Sequence, residues 1–165
     1  MILYLCRHGI AQDSNGEMDD AQRPLTDEGR RKFRRIARGF RRLEPKVDVV
    51  VASPLVRAQQ TASILVDVLG AKSDRSLELV SSENLAPPGG LEELLGELRR
   101  LPGDANVVAV GHEPILGNFL GRLCFNAEGY APFKKGGMAA VELAPAGNRG
   151  ALLWFLQPRQ LRALG

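Results

Sequence analysis

Three short apolar runs, residues 2–6, 47–52 and 106–110, each lead into a turn and then into a stretch whose apolar residues recur at helical spacing. That alternation limits the possible folds more than any other feature of the chain. The runs are rich in Val and Ile and too short for ordinary helices, so they read as strands buried on both faces. Buried strands alternating with helices make a mainly parallel sheet covered on both sides, an α/β fold of three layers, α/β/α. In such sheets ligands bind beyond the carboxyl ends of the strands, so the residues just after each run are where function is expected. Those residues are Arg7-His8-Gly9, Ser53 to Arg57, and Gly111-His112.

The connecting segments carry their own signals. Residues 10–25 are polar and irregular and read as a loop. Thr26 offers an N-cap ahead of Asp27 and Glu28, and Phe33, Ile36, Ala37, Phe40 and Leu43 follow on one stripe, which predicts an amphipathic helix over 27–43. Ser53-Pro54 reads as an N-cap with proline at the first helical position, and Gly70 marks the end of that helix. Residues 77–80 read as a short strand, and Pro87-Pro88-Gly89-Gly90 breaks the chain before a helix over about 91–101. A further helix runs to about residue 124. Residues 138–143 and 151–156 flank Pro145-Ala146-Gly147-Asn148 and read as a C-terminal antiparallel hairpin. No repeat or linker divides the 165 residues, so one domain spanning 1–165 is expected.

Several classes of function are excluded by what the chain lacks. Cys6 and Cys124 are too few and too far apart for a disulfide framework or a metal knuckle, and read as reduced thiols. The N-terminal apolar run is too short for a signal peptide, and no stretch approaches the ~18 apolar residues of a membrane span. A cytoplasmic protein without membrane contact is therefore expected. A cysteine phosphatase loop needs Arg six positions after Cys, where Gln12 and Tyr130 stand instead. His112-Glu113 opens like a zinc-protease helix, but Leu116 occupies the place of the second histidine. No glycine-rich nucleotide-phosphate loop is present.

A net charge of +3 decides little, but its distribution is uneven. Arg30, Arg31, Lys32, Arg34, Arg35, Arg38, Arg41 and Arg42 crowd the helix over 27–43, away from the Phe33/Ile36/Phe40 stripe. Such a face is ordinarily a solvated one; the sharper reading is a docking face for an acidic protein partner. Aromatics do not interleave with these charges, so nucleic acid is not the expected partner.

The residues at the strand ends suit one kind of chemistry. A phosphoryl group presents anionic oxygens, and its transfer needs positioning and electrostatic stabilisation. Arg7 and Arg57 would supply two permanently charged planar forks for it. His8 would act as nucleophile through one neutral ring nitrogen while the other donates a hydrogen bond, the arginines keeping it neutral. His112 would be protonated or donating, stabilising the phosphoryl oxygens. Gly9 and Ser53 join the candidate substrate-binding residues, Ser53 having its N-cap reading as the alternative. An alkoxide leaving group also needs a general acid, for which Glu83 and Glu113 are the candidates. The arrangement calls for no metal and no cofactor.

Taken in order, Leu5-Cys6-Arg7-His8-Gly9, Ser53-Pro54-Leu55-Val56-Arg57-Ala58-Gln59-Gln60-Thr61 and Val110-Gly111-His112-Glu113-Pro114 resemble the histidine phosphatase superfamily. The chain's size, Arg23-Pro24-Leu25-Thr26, Glu83-Asn84-Leu85-Ala86-Pro87 and Lys134-Lys135-Gly136-Gly137 resemble its compact SixA-like branch of phosphohistidine phosphatases. The resemblance implies a phosphoglycerate mutase-like fold and a metal-independent reaction through a phosphohistidine. It makes His8 the phosphorylated residue, Arg7 and Arg57 phosphate ligands, and His112 the second catalytic histidine. A phosphoramidate leaving group needs less help from an acid than an alcohol does, which suits a phosphohistidine substrate. A phosphomonoesterase for small phosphate esters is the alternative expectation, and a non-catalytic phosphate-binding module the second.

Overall fold

A computed structural model of the chain describes residues 1–14, 16, 18–43, 45–71, 77–125, 131–145 and 148–165. Its strands are β1 (Ile2–Arg7), β2 (Val49–Ala52), β3 (Glu78–Ser81), β4 (Val107–Gly111), β5 (Met138–Leu143) and β6 (Gly150–Leu156). Its helices are α1 (Asp27–Arg41), α2 (Val56–Gly70), α3 (Leu91–Leu98), α4 (Ile115–Phe125) and α5 (Pro158–Leu164). The strands form one sheet in the order β3-β2-β4-β1-β5-β6. β1 to β4 run parallel, and β5 is antiparallel to both β1 and β6, as expected for the C-terminal hairpin.

Because successive side chains on a strand face opposite ways, each apolar run feeds two cores at once. Leu3, Leu5, Val107, Ala109, Ala139 and Val141 face α3 and α4. Tyr4, Cys6, Val108, Val110, Met138 and Ala140 face α1, α2 and α5. A buried side chain of this size contributes roughly 1.5–3 kcal/mol through removal of apolar surface from water. The need to fill both layers explains why the runs are continuously apolar rather than alternating.

Local chemistry sets most element ends as expected. Thr26 Oγ1 accepts from the Gly29 N–H at 2.9 Å and starts α1, while Gly70 ends α2. α2 starts later than its sequence suggests: its N-cap is Leu55, not Ser53, and Pro54 lies in the turn ahead of it. Ser53 continues the strand direction, its N–H donating to the Val110 carbonyl at 2.9 Å, so its hydroxyl is free for another use. The described residues at either end of the segment expected to be a loop carry regular structure. Ala11 and Leu25 form a short antiparallel bridge, and Asp20–Gln22 make one 3-10 turn. α5 has no counterpart in the reading of the sequence. It opens on Pro158 behind a reciprocal Gln157–Gln160 cap, and it packs so tightly on α1 that a Cβ at Gly39 would fall 1.8 Å from the Leu161 carbonyl oxygen. Of the predicted hairpin turn, Ala146 and Gly147 lie outside the described residues. Among the described residues no helix is long and apolar enough to cross a membrane.

Candidate active site

The sheet order makes the carboxyl ends of β2, β4 and β1 neighbours, and the three predicted motifs meet there. The turn after β1 is fixed from three sides. The His8 N–H donates to the Gly111 carbonyl at 3.1 Å, tying it to the end of β4. The Gly9 N–H donates to Thr61 Oγ1 at 3.0 Å, and that hydroxyl donates to the Arg57 carbonyl at 2.7 Å, tying the turn to the first turns of α2. The Arg7 N–H donates to the Gly137 carbonyl, and the Gly136 N–H to the carbonyls of Arg7 and His8, each at 3.1 Å. Gly136 has φ of +85°, and a Cβ there would lie 2.6 Å from Ile36 Cδ1, so only glycine closes this clamp.

Both imidazoles are buried, with 6% of His8 and 3% of His112 exposed, and their ring centroids are 4.9 Å apart. His8 Nδ1 stands 2.7 Å from the Gly9 carbonyl oxygen. A carbonyl only accepts, so Nδ1 carries the hydrogen and Nε2 keeps its lone pair. Burial lowers the His8 pKa to about 3, with His112, Arg57 and Arg7 acting in the same direction and the Gly9 hydrogen bond opposing them. Nε2 of His8 is thus unprotonated near neutral pH.

His112 Nε2 lies 2.8 Å from Ser53 Oγ, and Ser53 Oγ accepts from the Leu55 N–H at 3.3 Å. The Ser53 hydroxyl can donate to Nε2, and in that tautomer the His112 hydrogen sits on Nδ1, which is buried and faces no partner among the described residues. Burial and then Arg57 lower the His112 pKa to about 4, against the opposing field of Asp20. Of the two states open to His112 in the sequence, the neutral one is therefore the one this pKa favours near neutral pH. A bound phosphoryl dianion would raise this pKa again.

Arg7 Nη1 donates to the Phe133 carbonyl at 2.5 Å, and the Phe133 N–H donates to Glu113 Oε1 at 2.6 Å. Arg57 donates from Nη1 to the Asp20 carbonyl and from Nη2 to Asp20 Oδ2, the latter at 2.9 Å. Arg7 Nε, Arg57 Nε and His112 Nδ1 are buried and have no hydrogen-bond partner among the described residues. Buried donors almost always find a partner, so three such nitrogens on Arg7, Arg57 and His112, whose fields all act on His8, require an explanation. A tetrahedral oxyanion provides one, because its oxygens accept from all of them.

The other sequence candidates fall as follows. Gly9 has its N–H committed to Thr61 and its carbonyl to His8, and the Ser53 hydroxyl is committed to His112. Glu83 is exposed, on the 3-10 turn Glu83–Leu85 that follows β3. Glu113 is half-buried, and its Oε2 is buried without a partner among the described residues. Sequence reasoning did not single out Asp20, Thr61 or the Phe133 carbonyl. Gln60 is a similar case: its Oε1 accepts from the Leu25 N–H at 2.8 Å and ties Leu25 to α2. Cys6 points into the core, where burial pushes its thiol pKa up and removes it as a nucleophile. Among the described residues no three His, Cys, Asp or Glu side chains cluster as metal ligands would.

A family model described as the histidine phosphatase superfamily (branch 1) matches residues 3–85. The chain is 30% identical to phosphohistidine phosphatase SixA of Escherichia coli (strain K12) over 166 residues, covering 98% of this chain and 97% of that protein. It is 34% identical to an uncharacterized protein of Picosynechococcus sp. over 149 residues, covering 88% of this chain and 87% of that one. Among solved structures, the protein histidine phosphatase SixA complexed with tungstate superposes with a TM-score of 0.83 at 27% identity, covering 98% of this chain and 99% of that one.

Proposed function

Since the chain belongs to the histidine phosphatase superfamily (branch 1), on its SixA-like side, we propose that it is a cytoplasmic, metal-independent phosphohistidine phosphatase. In this reaction His8 Nε2 attacks phosphorus as the P–N bond to the substrate imidazole breaks. The leaving ring departs as neutral imidazole when its distal nitrogen carries a hydrogen, so the reacting nitrogen needs no proton from the enzyme. Arg7, Arg57 and His112 Nδ1–H hold the phosphoryl oxygens through the transition state. Water then attacks the phosphorus on His8, the Nε2–P bond breaks, and inorganic phosphate leaves with the water's proton passing to solvent or product. His8 returns to its starting tautomer, kept by the Gly9 carbonyl.

One observation carries this reading: three buried nitrogens without partners belong to Arg7, Arg57 and His112, the groups whose fields act on a histidine that burial keeps unprotonated. Two further points support it. The full-length likeness is to a phosphohistidine phosphatase, and the structural relative binds tungstate, itself a tetrahedral oxyanion. Glu113 favours a second reading, hydrolysis of small phosphate esters, because its Oε2 is buried and unpartnered and would serve as acid for an alkoxide. We also read the cationic face of α1 as the place where an acidic phosphoprotein docks.

Trapping of acid-labile phosphate on the protein tests the proposal. Incubation with a phosphoramidate donor labels the wild type, His8→Ala abolishes the label, and a chelator leaves turnover unchanged. Labelling that survives His8→Ala refutes the nucleophile assignment. Rapid turnover of phosphate esters with none of phosphohistidine moves the assignment to the second reading. Stoichiometric phosphate binding without turnover makes the protein a binding module.

A further inference from the structure

Asp20 lies in the segment whose sequence reads as an irregular loop, yet it reaches from the rim of the site to its most buried cation. Its side chain is 56% exposed, against 6% for Arg57. We propose that Asp20 is a positioning residue: it grips one edge of the Arg57 guanidinium so that the other edge is presented to the phosphoryl group. The inference rests on the phosphoryl-transfer reading of the site.

A guanidinium offers two forked edges, an end edge made by Nη1 and Nη2 and a side edge made by Nε and Nη2. Asp20 takes the end edge, its backbone carbonyl accepting from Nη1 and its Oδ2 from Nη2. The side edge remains, and its Nε–H is the buried donor without a partner. Two parallel N–H···O bonds to a phosphoryl group fit that edge with no displacement of Asp20. The second carboxylate oxygen is engaged as well. Asp20 Oδ1 accepts from Arg23 Nε at 2.8 Å and Nη2 at 2.5 Å, while Arg23 Nη1 donates to the Gln12 carbonyl at 2.6 Å. Arg23 is thus an anchor that fastens Asp20 to the segment bridged by Ala11 and Leu25.

Two other roles for Asp20 fit less well. A proton shuttle needs a free carboxyl oxygen and a pKa near the working pH, whereas both oxygens are occupied and the Arg23 hydrogen bonds hold this carboxyl below its usual range. A latch that phosphate displaces would occupy the edge that phosphate uses, and Asp20 occupies the adjacent one, leaving Nε without a partner among the described residues. What remains is orientation. It also compensates charge, since a cation as buried as Arg57 is costly without a partner when the site is empty.

A double-mutant cycle on the full chain tests this with Asp20→Ala, Arg57→Ala and the double variant. Two readouts are used: the single-turnover rate of phosphate transfer to His8 from a phosphoramidate, and orthovanadate affinity, which needs no turnover. Asp20→Ala is expected to lower both by about 10- to 100-fold, the scale of a misplaced orienting group. In the Arg57→Ala background the same substitution is expected to change neither. Asp20→Asn, which keeps shape but loses the charge, is expected to fall between wild type and Asp20→Ala. Equal losses in both backgrounds mean that Asp20 acts on the substrate directly and overturn the proposal, as does an Asp20→Ala variant with wild-type rate and affinity. If the wild type takes no label, the phosphatase reading fails, and the vanadate cycle still decides whether Asp20 acts through Arg57.

Discussion

Lowering the pH from 7 to 5 offers each histidine of the unfolded chain a proton that the native site refuses. An unfolded imidazole titrates near ~6.5, whereas His8 and His112 in the fold titrate at about 3 and about 4. Both folded values lie below the unfolded one, so the stability contributed by the neutral rings is fully present above about pH 6.5. It is lost progressively as the pH falls through the window toward the folded values. At pH 5 both native rings are still neutral while the unfolded ones are charged, and each then removes roughly 2 kcal/mol, about 30-fold in the folding equilibrium. Urea unfolding followed through Trp154, the single tryptophan, measures this at pH 7, 6 and 5. His8→Asn keeps a donor for the Gly9 carbonyl, and His112→Gln keeps a polar partner for Ser53, so neither leaves a gross void. Carboxylates titrate alike in all variants and cancel in the comparison. Wild type is expected to lose about 2 kcal/mol more than either single variant between pH 7 and 5, and about 4 kcal/mol more than the double. Parallel curves for wild type and His8→Asn would mean that native His8 accepts the proton, and the case for a neutral nucleophile would fail.

Ser53→Ala leaves the buried His112 Nε2 without its partner and removes what fixes the tautomer; about 1–3 kcal/mol of stability and roughly 10-fold or more in phosphoryl-transfer rate should be lost. Unfolding curves and the label rate check this, and wild-type values in both refute the assigned His112 hydrogen position. Reversing Arg31, Arg34, Arg35 and Arg38 to Glu on the outer face of α1 should weaken binding of an acidic phosphoprotein and flatten its salt dependence. Hydrolysis of a small phosphoramidate should be untouched, and unchanged protein affinity removes the docking role.

The strand ends were legible because two local signals coincide there: a run apolar enough to be buried on both faces, and charged or imidazole residues immediately after it. His8, His112, Arg7 and Arg57 all carry that double mark. Ser53 was misread as a helix cap because Ser-Pro is a local signature, whereas its hydroxyl is committed to His112, 59 residues away. The grip of Asp20 on Arg57 spans 37 residues and has only the Asp20–Arg23 spacing to announce it. Phe133 acts through its backbone, which leaves no trace in residue identity. α5 is too short, at seven residues, for periodicity to show, although Pro158 and the Gln157–Gln160 cap mark its start.

Part of the clamp on the His8 turn comes from much later in the sequence: Arg7 and His8 take backbone partners from Gly136 and Gly137, and the Arg7 side chain takes the Phe133 carbonyl. During synthesis this turn therefore waits for residues made well after it. A polypeptide cut ahead of residue 131 contains Arg7, His8, Arg57 and His112 and keeps the ties to Gly111 and Thr61, but loses the partners that Phe133, Gly136 and Gly137 supply. Such shortened copies should transfer phosphate more slowly than the 165-residue chain.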